Sequence, residues 1–207
     1  MIIVSFPDFY AKAPVVRSYD SFAATLGAAR DGLLDYHYED AVRLAGHSCP
    51  TVAGAFLIGR AALAALYPDE PAERGNIAVH MPAPEDEGTT GVMAQVLTLL
   101  TGAAASNGFQ GIRGRFKRKG LLSFANDRQG EAIIFKRLDT GARVSVKLDV
   151  SPIPADPAQG ERLMAILQNC ADASQQTAFA DAWQERVRRL LLEFADDQRV
   201  ICVTPLH

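Results

Sequence analysis

Residues 46–66 read GHSCPTVAGAFLIGRAALAAL, and this stretch decides most of the fold. Ser48-Cys49-Pro50 places a capping residue and a first-turn proline ahead of an apolar run, which is typical of a helix start. We therefore predict a buried helix over residues 51–66, whose many glycines and alanines allow another helix or a sheet to approach closely. Arg60 interrupts the run, and the run is shorter than the ~20 residues that span a bilayer. We expect a soluble, cytoplasmic protein with no membrane partner.

The flanking segments predict a mixture of helices and strands. On the N-terminal side, apolar residues at three- and four-residue steps over residues 18–45 predict one long or two shorter helices. On the C-terminal side we predict a strand over residues 76–81 and a helix over 89–101. The five glycines of residues 102–120 indicate a long loop, which we expect to become extended around Arg113.

Beyond the loop, three predicted strands at 121–125, 131–137 and 142–150 form an antiparallel meander, because turn-like segments separate them. A proline-rich linker at 151–157 precedes two amphipathic segments that predict a helical pair. Residues 199–203 could form a short strand after this pair. The predicted fold is α+β, with helices packed on an antiparallel sheet. We expect an α+β core domain at 1–150 and a helical C-terminal extension at 151–207.

Composition excludes several classes of function. The 21 Lys and Arg residues against 24 Asp and Glu give a net charge of -3, which lacks the basic excess of a general nucleic-acid-binding protein. Cys49, Cys170 and Cys202 are odd in number and widely spaced, which fits a reducing compartment, and we expect the latter two to be buried small hydrophobes. The first seven residues carry no cationic leader and predict mature structure.

The pair His47 and Cys49 is the strongest candidate for chemistry. An imidazole and a thiol two residues apart at the start of a helix can converge on one soft or borderline metal ion, and the helix N-terminus favours the thiolate. The alternative is a capping residue beside a histidine with a structural role. Further ligands could come from polar residues nearby in sequence, each of which is more simply an exposed side chain: His37, Glu39, His80, Glu85, Asp86 and Glu87.

A second candidate is the basic segment 113–119, RGRFKRK. In an extended chain, alternate residues share one face, so Arg113, Arg115, Lys117 and Lys119 could bind a phosphate or a carboxylate there. An edge strand protected from aggregation by its charges has the same pattern. The sequence contains no phosphate-binding loop, no serine-hydrolase elbow and no Cys-x-x-Cys, so nucleotide hydrolysis, serine hydrolysis and thioredoxin-like redox chemistry are poorly supported.

Within residues 18–150, the GHSCP segment is followed by a small-residue helix, a strand, a helix, a glycine-rich loop and a strand pair. This order of elements resembles the formylmethanofuran dehydrogenase E-subunit family. The resemblance implies an α+β core, a homodimer, and a metal-binding or active-site cleft containing His47 and Cys49. The chain departs from the family pattern. Thr51 stands where the family has glycine, residues 85–90 and 103–105 lack two family cysteines, and nothing beyond residue 150 supplies the zinc finger that many members carry.

The leading hypothesis is a small dimeric protein with a transition metal, zinc before others, held by His47, Cys49 and either His80 or a carboxylate of residues 85–87. If one metal position stays open, the protein could be an enzyme, with Cys49 and Glu87 as catalytic residues and the basic segment orienting an anionic substrate. The alternative is a non-catalytic accessory or carrier protein that serves a partner oxidoreductase. A metal-free reactive thiol at Cys49, and a scaffold without any site, also remain open.

Overall fold

The computed structural model describes residues 6–207 and has the predicted α+β class. A short 3-10 helix at Asp8–Lys12 comes first. The α-helices of the described residues are α1 Ser21–Leu26, α2 Tyr38–Ala45, α3 Pro50–Leu66, α4 Thr90–Thr101, α5 Gln159–Leu167 and α6 Ala173–Leu192. The strands are β1 Val16–Tyr19, β2 Leu33–Tyr36, β3 Ala72–Glu73, β4 Ile77–Met81, β5 Leu122–Phe124, β6 Ile133–Arg137, β7 Arg143–Leu148 and β8 Ile201–Leu206.

The strands form two mixed sheets, with the orders β2-β1-β3 and β5-β4-β6-β7-β8. Strands β4, β6, β7 and β8 are antiparallel neighbours. The predicted meander is confirmed for β6 and β7 and is wrong for β5, because β4 lies between β5 and β6. The prediction of a purely antiparallel sheet is wrong at one edge, because β5 lies parallel to β4. Helix α4 and the loop after it carry the chain back across the sheet, and such a crossover returns the next strand in the same direction.

Helix α3 lies at the centre of the molecule, where it contacts α4, α6 and β7. Most of its residues are fully buried, so both of its faces belong to the core. Two glycines make this possible: a Cβ added to Gly54 would collide with the Leu148 side chain, and one added to Gly59 would lie 2.6 Å from Leu100. The small residues of the predicted helix therefore set how closely the sheet and α4 approach it.

The prediction of helix throughout residues 18–45 is wrong, because this segment contains two strands and two short helices. Asp20 caps α1 at its N-terminus, and Gly27 ends it after six residues in the left-handed conformation, with a φ of 72°. Gly32 also has a positive φ, which lets the chain turn back so that β2 pairs with β1. Local cap and turn residues thus override the apolar spacing.

The segment after residue 150 shares its core with the rest of the chain. Helices α5 and α6 contact each other, and α6 also packs on α3. Val187, Leu190 and Leu191 of α6 are buried in the same cluster as the residues of α3. Strand β8 then pairs with β7 along its whole length and completes the five-stranded sheet.

Other expectations have separate outcomes. Cys170 and Cys202 are exposed, so the prediction that they are buried is wrong; Cys170 lies between α5 and α6, and Cys202 lies on the edge strand β8. None of the helices in residues 6–207 combines the length and the apolar character needed to cross a membrane.

The expectation that the first seven residues belong to the mature structure falls mainly on residues 1–5, which lie outside the described residues.

Candidate functional site

Three residues, His47-Ser48-Cys49, connect α2 to α3 and form the candidate site. Helix α2 ends at Gly46, whose φ of 75° reverses the chain direction. Cys49 is extended and caps α3, and its Sγ accepts a hydrogen bond from the backbone N–H of Val52 at 3.4 Å. The capping residue of this helix is therefore the cysteine, and its sulfur lies at the positive end of the helix dipole.

The structure brings His47 and Cys49 into direct contact. The Nε2 atom of His47 lies 3.4 Å from the Sγ atom of Cys49, and its Nδ1 atom lies 3.0 Å from the carbonyl oxygen of Ala45. A carbonyl oxygen only accepts hydrogen bonds, so Nδ1 donates to Ala45 and Nε2 is the ring nitrogen that faces the sulfur. Cys49 is 8% exposed, whereas His47 is open to solvent. The pair thus has one buried and one accessible member.

Helix α6 holds this turn in place through Ser48. The Ser48 carbonyl oxygen accepts the Trp183 indole N–H at 3.0 Å and the Gln184 amide N–H at 3.3 Å. The Ser48 hydroxyl donates to Gln184 Oε1 at 3.1 Å and accepts from the Tyr38 hydroxyl at 2.8 Å. Tyr10 donates to the same Gln184 oxygen at 3.1 Å. Burial raises the pKa of the Tyr38 hydroxyl, so Tyr38 stays a neutral donor to Ser48.

His80 lies away from this pair, so the predicted ligand set of His47, Cys49 and His80 is not assembled in one chain. Along β4 the side chains of Ile77, Val79 and Met81 enter the core, and Met81 shares a cavity wall with Ile58 of α3. His80 alternates with them and therefore points to the opposite face of the sheet from α3. There its Nδ1 atom lies 3.0 Å from the Ser123 hydroxyl.

The predicted carboxylates are also elsewhere. Glu87, predicted as a catalytic residue, forms an ion pair with Arg128 at the surface, and Glu39 pairs with Arg43 one turn along α2. His37 caps the start of α2. Within residues 6–207, no three His, Cys, Asp or Glu side chains are grouped in a way that could hold a metal ion. The described chain therefore offers two metal donors at this site.

The basic segment 113–119 does not form an extended face, so the prediction that Arg113, Arg115, Lys117 and Lys119 share one is wrong. Arg113 and Phe116 have positive φ values of 49° and 61°, and Gly114 lies between them with 80°. These left-handed residues fold the segment into a tight turn in which Ile112 bridges Arg115, and strand alternation is lost. Arg113 and Arg115 both extend into solvent.

The buried cation of this segment is Arg118, which was not predicted from the sequence. Its Nη2 atom lies 2.9 Å from Asp20 Oδ1, while Arg74 Nη1 lies 2.7 Å from Asp20 Oδ2. The three side chains are 12%, 6% and 18% exposed for Arg118, Asp20 and Arg74, respectively. Burial lowers the pKa of the Arg118 guanidinium. The only local signal was a charged residue inside a basic run, because its partners are distant in sequence.

Comparison of the chain with protein-family models gives no match, and comparison with curated proteins gives none. The resemblance to the formylmethanofuran dehydrogenase E-subunit family stays a prediction from the GHSCP motif and the order of elements around it.

Proposed function

We propose that the chain binds a late transition-metal ion, zinc before others, through Cys49 Sγ and His47 Nε2. The separation of these atoms carries the proposal. Zinc bonds of about 2.3 Å to sulfur and about 2.0 Å to nitrogen, at a tetrahedral angle, place the two donor atoms about 3.5 Å apart. The distance between Cys49 Sγ and His47 Nε2 is 3.4 Å. One ion can bind both atoms at this separation.

The surroundings of the pair favour the same function. A histidine that binds a metal through one nitrogen usually donates the other N–H to a carbonyl or a carboxylate, and His47 donates Nδ1–H to Ala45. The Val52 N–H stabilises negative charge on the sulfur. Trp183 and Gln184 hold the Ser48 backbone, which connects the two donor residues.

His47 and Cys49 supply two ligands, so the remaining coordination positions of the ion would be filled by groups outside the described chain. Water, an anionic substrate or donors from a second copy in a homodimer are the sources consistent with this geometry. A bound ion would act as a Lewis acid toward an anionic substrate. The same pair would serve an accessory protein that carries a metal for a partner oxidoreductase. The resemblance to the formylmethanofuran dehydrogenase E-subunit family favours a cytoplasmic protein with one of these two roles.

Cobalt(II) substitution tests the proposal, because a cobalt–thiolate bond gives a charge-transfer absorption that cobalt bound by oxygen or nitrogen lacks. We expect wild-type protein to bind about one equivalent of zinc or cobalt with this absorption. Cys49→Ser should abolish the absorption while the helix keeps a good capping residue, so the variant should fold. His47→Ala should weaken binding.

Matched controls come from the same chain. Cys170→Ser and Cys202→Ser remove exposed thiols, and His80→Ala removes an imidazole from the opposite face of the sheet. All three should bind metal as the wild type does. Equal metal content and equal spectra for wild type and Cys49→Ser would contradict the proposal.

A reactive thiol without metal is the second candidate function. The observation that favours it is that Cys49 Sγ has both an imidazole nitrogen at 3.4 Å and a helix N–H at 3.4 Å, the arrangement of an activated cysteine. Iodoacetamide separates the two candidates. Alkylation that a chelator accelerates supports a metal on the sulfur. Alkylation that a chelator leaves unchanged, and that His47→Ala slows, supports the free thiol and opposes the metal.

A further inference from the structure

A cavity of about 460 Å³ lies between α1, the C-terminal end of α4 and the loop that follows it. Its wall includes no residue of the turn 47–49, so it is separate from the proposed metal site. One side of the wall is charged and the other is apolar. The charged side includes Asp20, Arg74 and Arg118, and the apolar side includes Phe22, Leu34 and Phe109.

The charged side has more positive than negative groups. Both carboxylate oxygens of Asp20 accept hydrogen bonds. Oδ1 accepts from the backbone N–H groups of Phe22 and Ala23 and from Arg118, and Oδ2 accepts from Arg74. One carboxylate thus faces two guanidinium groups. The field of Glu73 also reaches Arg118, but no ion pair of Glu73 is found among residues 6–207. A buried charge without a full partner is costly, so this arrangement favours an added anion.

Both guanidiniums have N–H groups without a hydrogen-bond partner among the described residues. The Nε atom of Arg74 is buried and has no hydrogen-bond partner among the described residues, although Nη1 and Nη2 bond to Asp20 and to the Leu99 carbonyl. The Arg118 guanidinium makes one hydrogen bond in the described chain, from Nη2 to Asp20. A planar guanidinium offers five N–H donors in a fixed geometry that suits two oxygens of one anion.

The backbone is shaped to hold Arg118 in this position. Gly75 has a φ of 84°, and a Cβ there would collide with the Arg118 guanidinium. Gly102, with a φ of 72°, leaves the neighbouring space open, since a Cβ would lie 3.2 Å from Arg118 Nη1. Any other residue at position 75 would be strained and would displace the arginine. Two separate turns therefore make room for one side chain.

The apolar side is built from stacked aromatic rings. The Phe22 ring stacks on Phe109, with centroids 5.3 Å apart and planes 11° apart, and on Phe116, at 4.8 Å and 24°. Phe109 remains 43% exposed at the edge of the cavity. A pocket that combines an aromatic wall with a few convergent charged groups is typical of sites for small organic ligands.

We propose that this cavity binds a small organic anion, a carboxylate or a phosphate ester with an apolar body. The oxyanion accepts hydrogen bonds from Arg118 and Arg74, and the body lies against Phe22 and Phe109. This inference does not depend on the proposed metal function, since none of these residues takes part in it.

Calorimetric titration of the full chain at low salt tests the proposal with two probes, phenyl phosphate and benzoate. We expect at least one to bind, and more tightly than phenol or inorganic phosphate, because each of these lacks half of the ligand. Preference for phenyl phosphate identifies a phosphate ester as the ligand class, and preference for benzoate identifies a carboxylate. Failure of both probes to bind overturns the proposal.

Variants locate the binding. Arg118→Gln should weaken the better probe by about tenfold or more, since charge-assisted hydrogen bonds to the oxyanion are lost. Arg115→Gln, an exposed arginine three residues earlier in the same loop, should leave the affinity unchanged and serves as the matched control. Equal affinities for wild type and a folded Arg118→Gln would overturn the proposal.

A second variant covers the case in which Arg118→Gln does not fold. Phe109 is partly exposed, so Phe109→Ala should keep the fold. It should weaken phenyl phosphate or benzoate and leave inorganic phosphate unchanged, because it removes only the apolar wall. An unchanged affinity for the organic probe would overturn the proposal. Cys49→Ser should bind both probes as the wild type does, which separates the failure of this proposal from that of the metal site.

Discussion

The turn 47–49 and the cluster of Asp20, Arg74 and Arg118 are built in opposite ways. The donor atoms of the turn come from residues two positions apart, between the end of one helix and the start of the next. The charged cluster joins residues that are 54 and 98 positions apart in the sequence. A motif of contiguous residues can be recognised before the fold is known, whereas a cluster of distant residues exists only once the chain has closed around it.

The two regions also differ in what supports them. The turn is held by hydrogen bonds among uncharged groups, chiefly from Trp183 and Gln184 to Ser48. The cluster consists of three ionised groups that are largely buried. Breaking one member of a buried charge network leaves its partners unpaired, and this costs more than losing a hydrogen bond between neutral groups.

The largest effect on stability is expected for Asp20→Asn. Asparagine retains the capping function for α1, so the change isolates the negative charge that lies between Arg74 and Arg118. We expect a loss of about 3 kcal/mol in the free energy of unfolding, measured by urea denaturation. Asp35→Asn breaks an exposed pair with Arg17 and is the control, for which we expect no measurable change. Similar losses for both variants would show that burial of the cluster has no energetic consequence.

An intermediate effect is expected for Tyr38→Phe in the turn region. At neutral pH it removes the hydrogen bond to Ser48 and should cost about 1 kcal/mol. Burial raises the pKa of Tyr38 in the folded protein, so its stabilising contribution is complete below pH ~10 and is lost as the pH rises above that value. Urea midpoints measured from pH 7 to 11 should therefore fall more steeply for wild type than for Tyr38→Phe. Parallel curves would contradict this linkage.

The smallest effect on stability is expected for Arg115→Gln. Its side chain is exposed, and its guanidinium lies 5.0 Å from the Phe116 ring centroid without an ion pair among the described residues. The free energy of unfolding should change by no more than about 0.5 kcal/mol. A loss of stability close to that of Asp20→Asn would mean that the basic segment acts as one unit. It would contradict the expected difference in stability effect between the buried and the exposed cations of this segment.

Prediction from sequence succeeded where the decisive signal was local. Pro50 at the first turn and the long apolar run predicted α3, and the alternation of Val144 and Val146 with polar residues predicted β7. It failed over residues 18–45, where Gly27 and Gly32 reverse the chain and strand pairing with distant residues overrides helical spacing. It also failed at β5, because nothing within a three-residue strand indicates which neighbour it joins or in which direction.

The same distinction applies to the two sites. The His47 and Cys49 contact was predictable, because their spacing and the helix start fix both side chains. The position of His80 was not predictable, since alternation in β4 specifies two faces but the sequence does not say on which of them α3 packs. Arg118 was missed because positive φ values at Arg113 and Phe116 break the alternation that had assigned its neighbours to one face. Tertiary closure determines which cation of a basic run is buried.

Because Trp183 donates a hydrogen bond to Ser48, its intrinsic fluorescence can report on the candidate site. Trp183 is the single tryptophan of the chain, and its indole nitrogen lies 3.0 Å from the carbonyl oxygen of the residue between His47 and Cys49. All tryptophan emission therefore originates beside the Cys49 turn. Quenching by a bound paramagnetic ion, or a change in emission on alkylation of the sulfur, can be followed in unlabelled protein, and the signal comes from one place in the molecule.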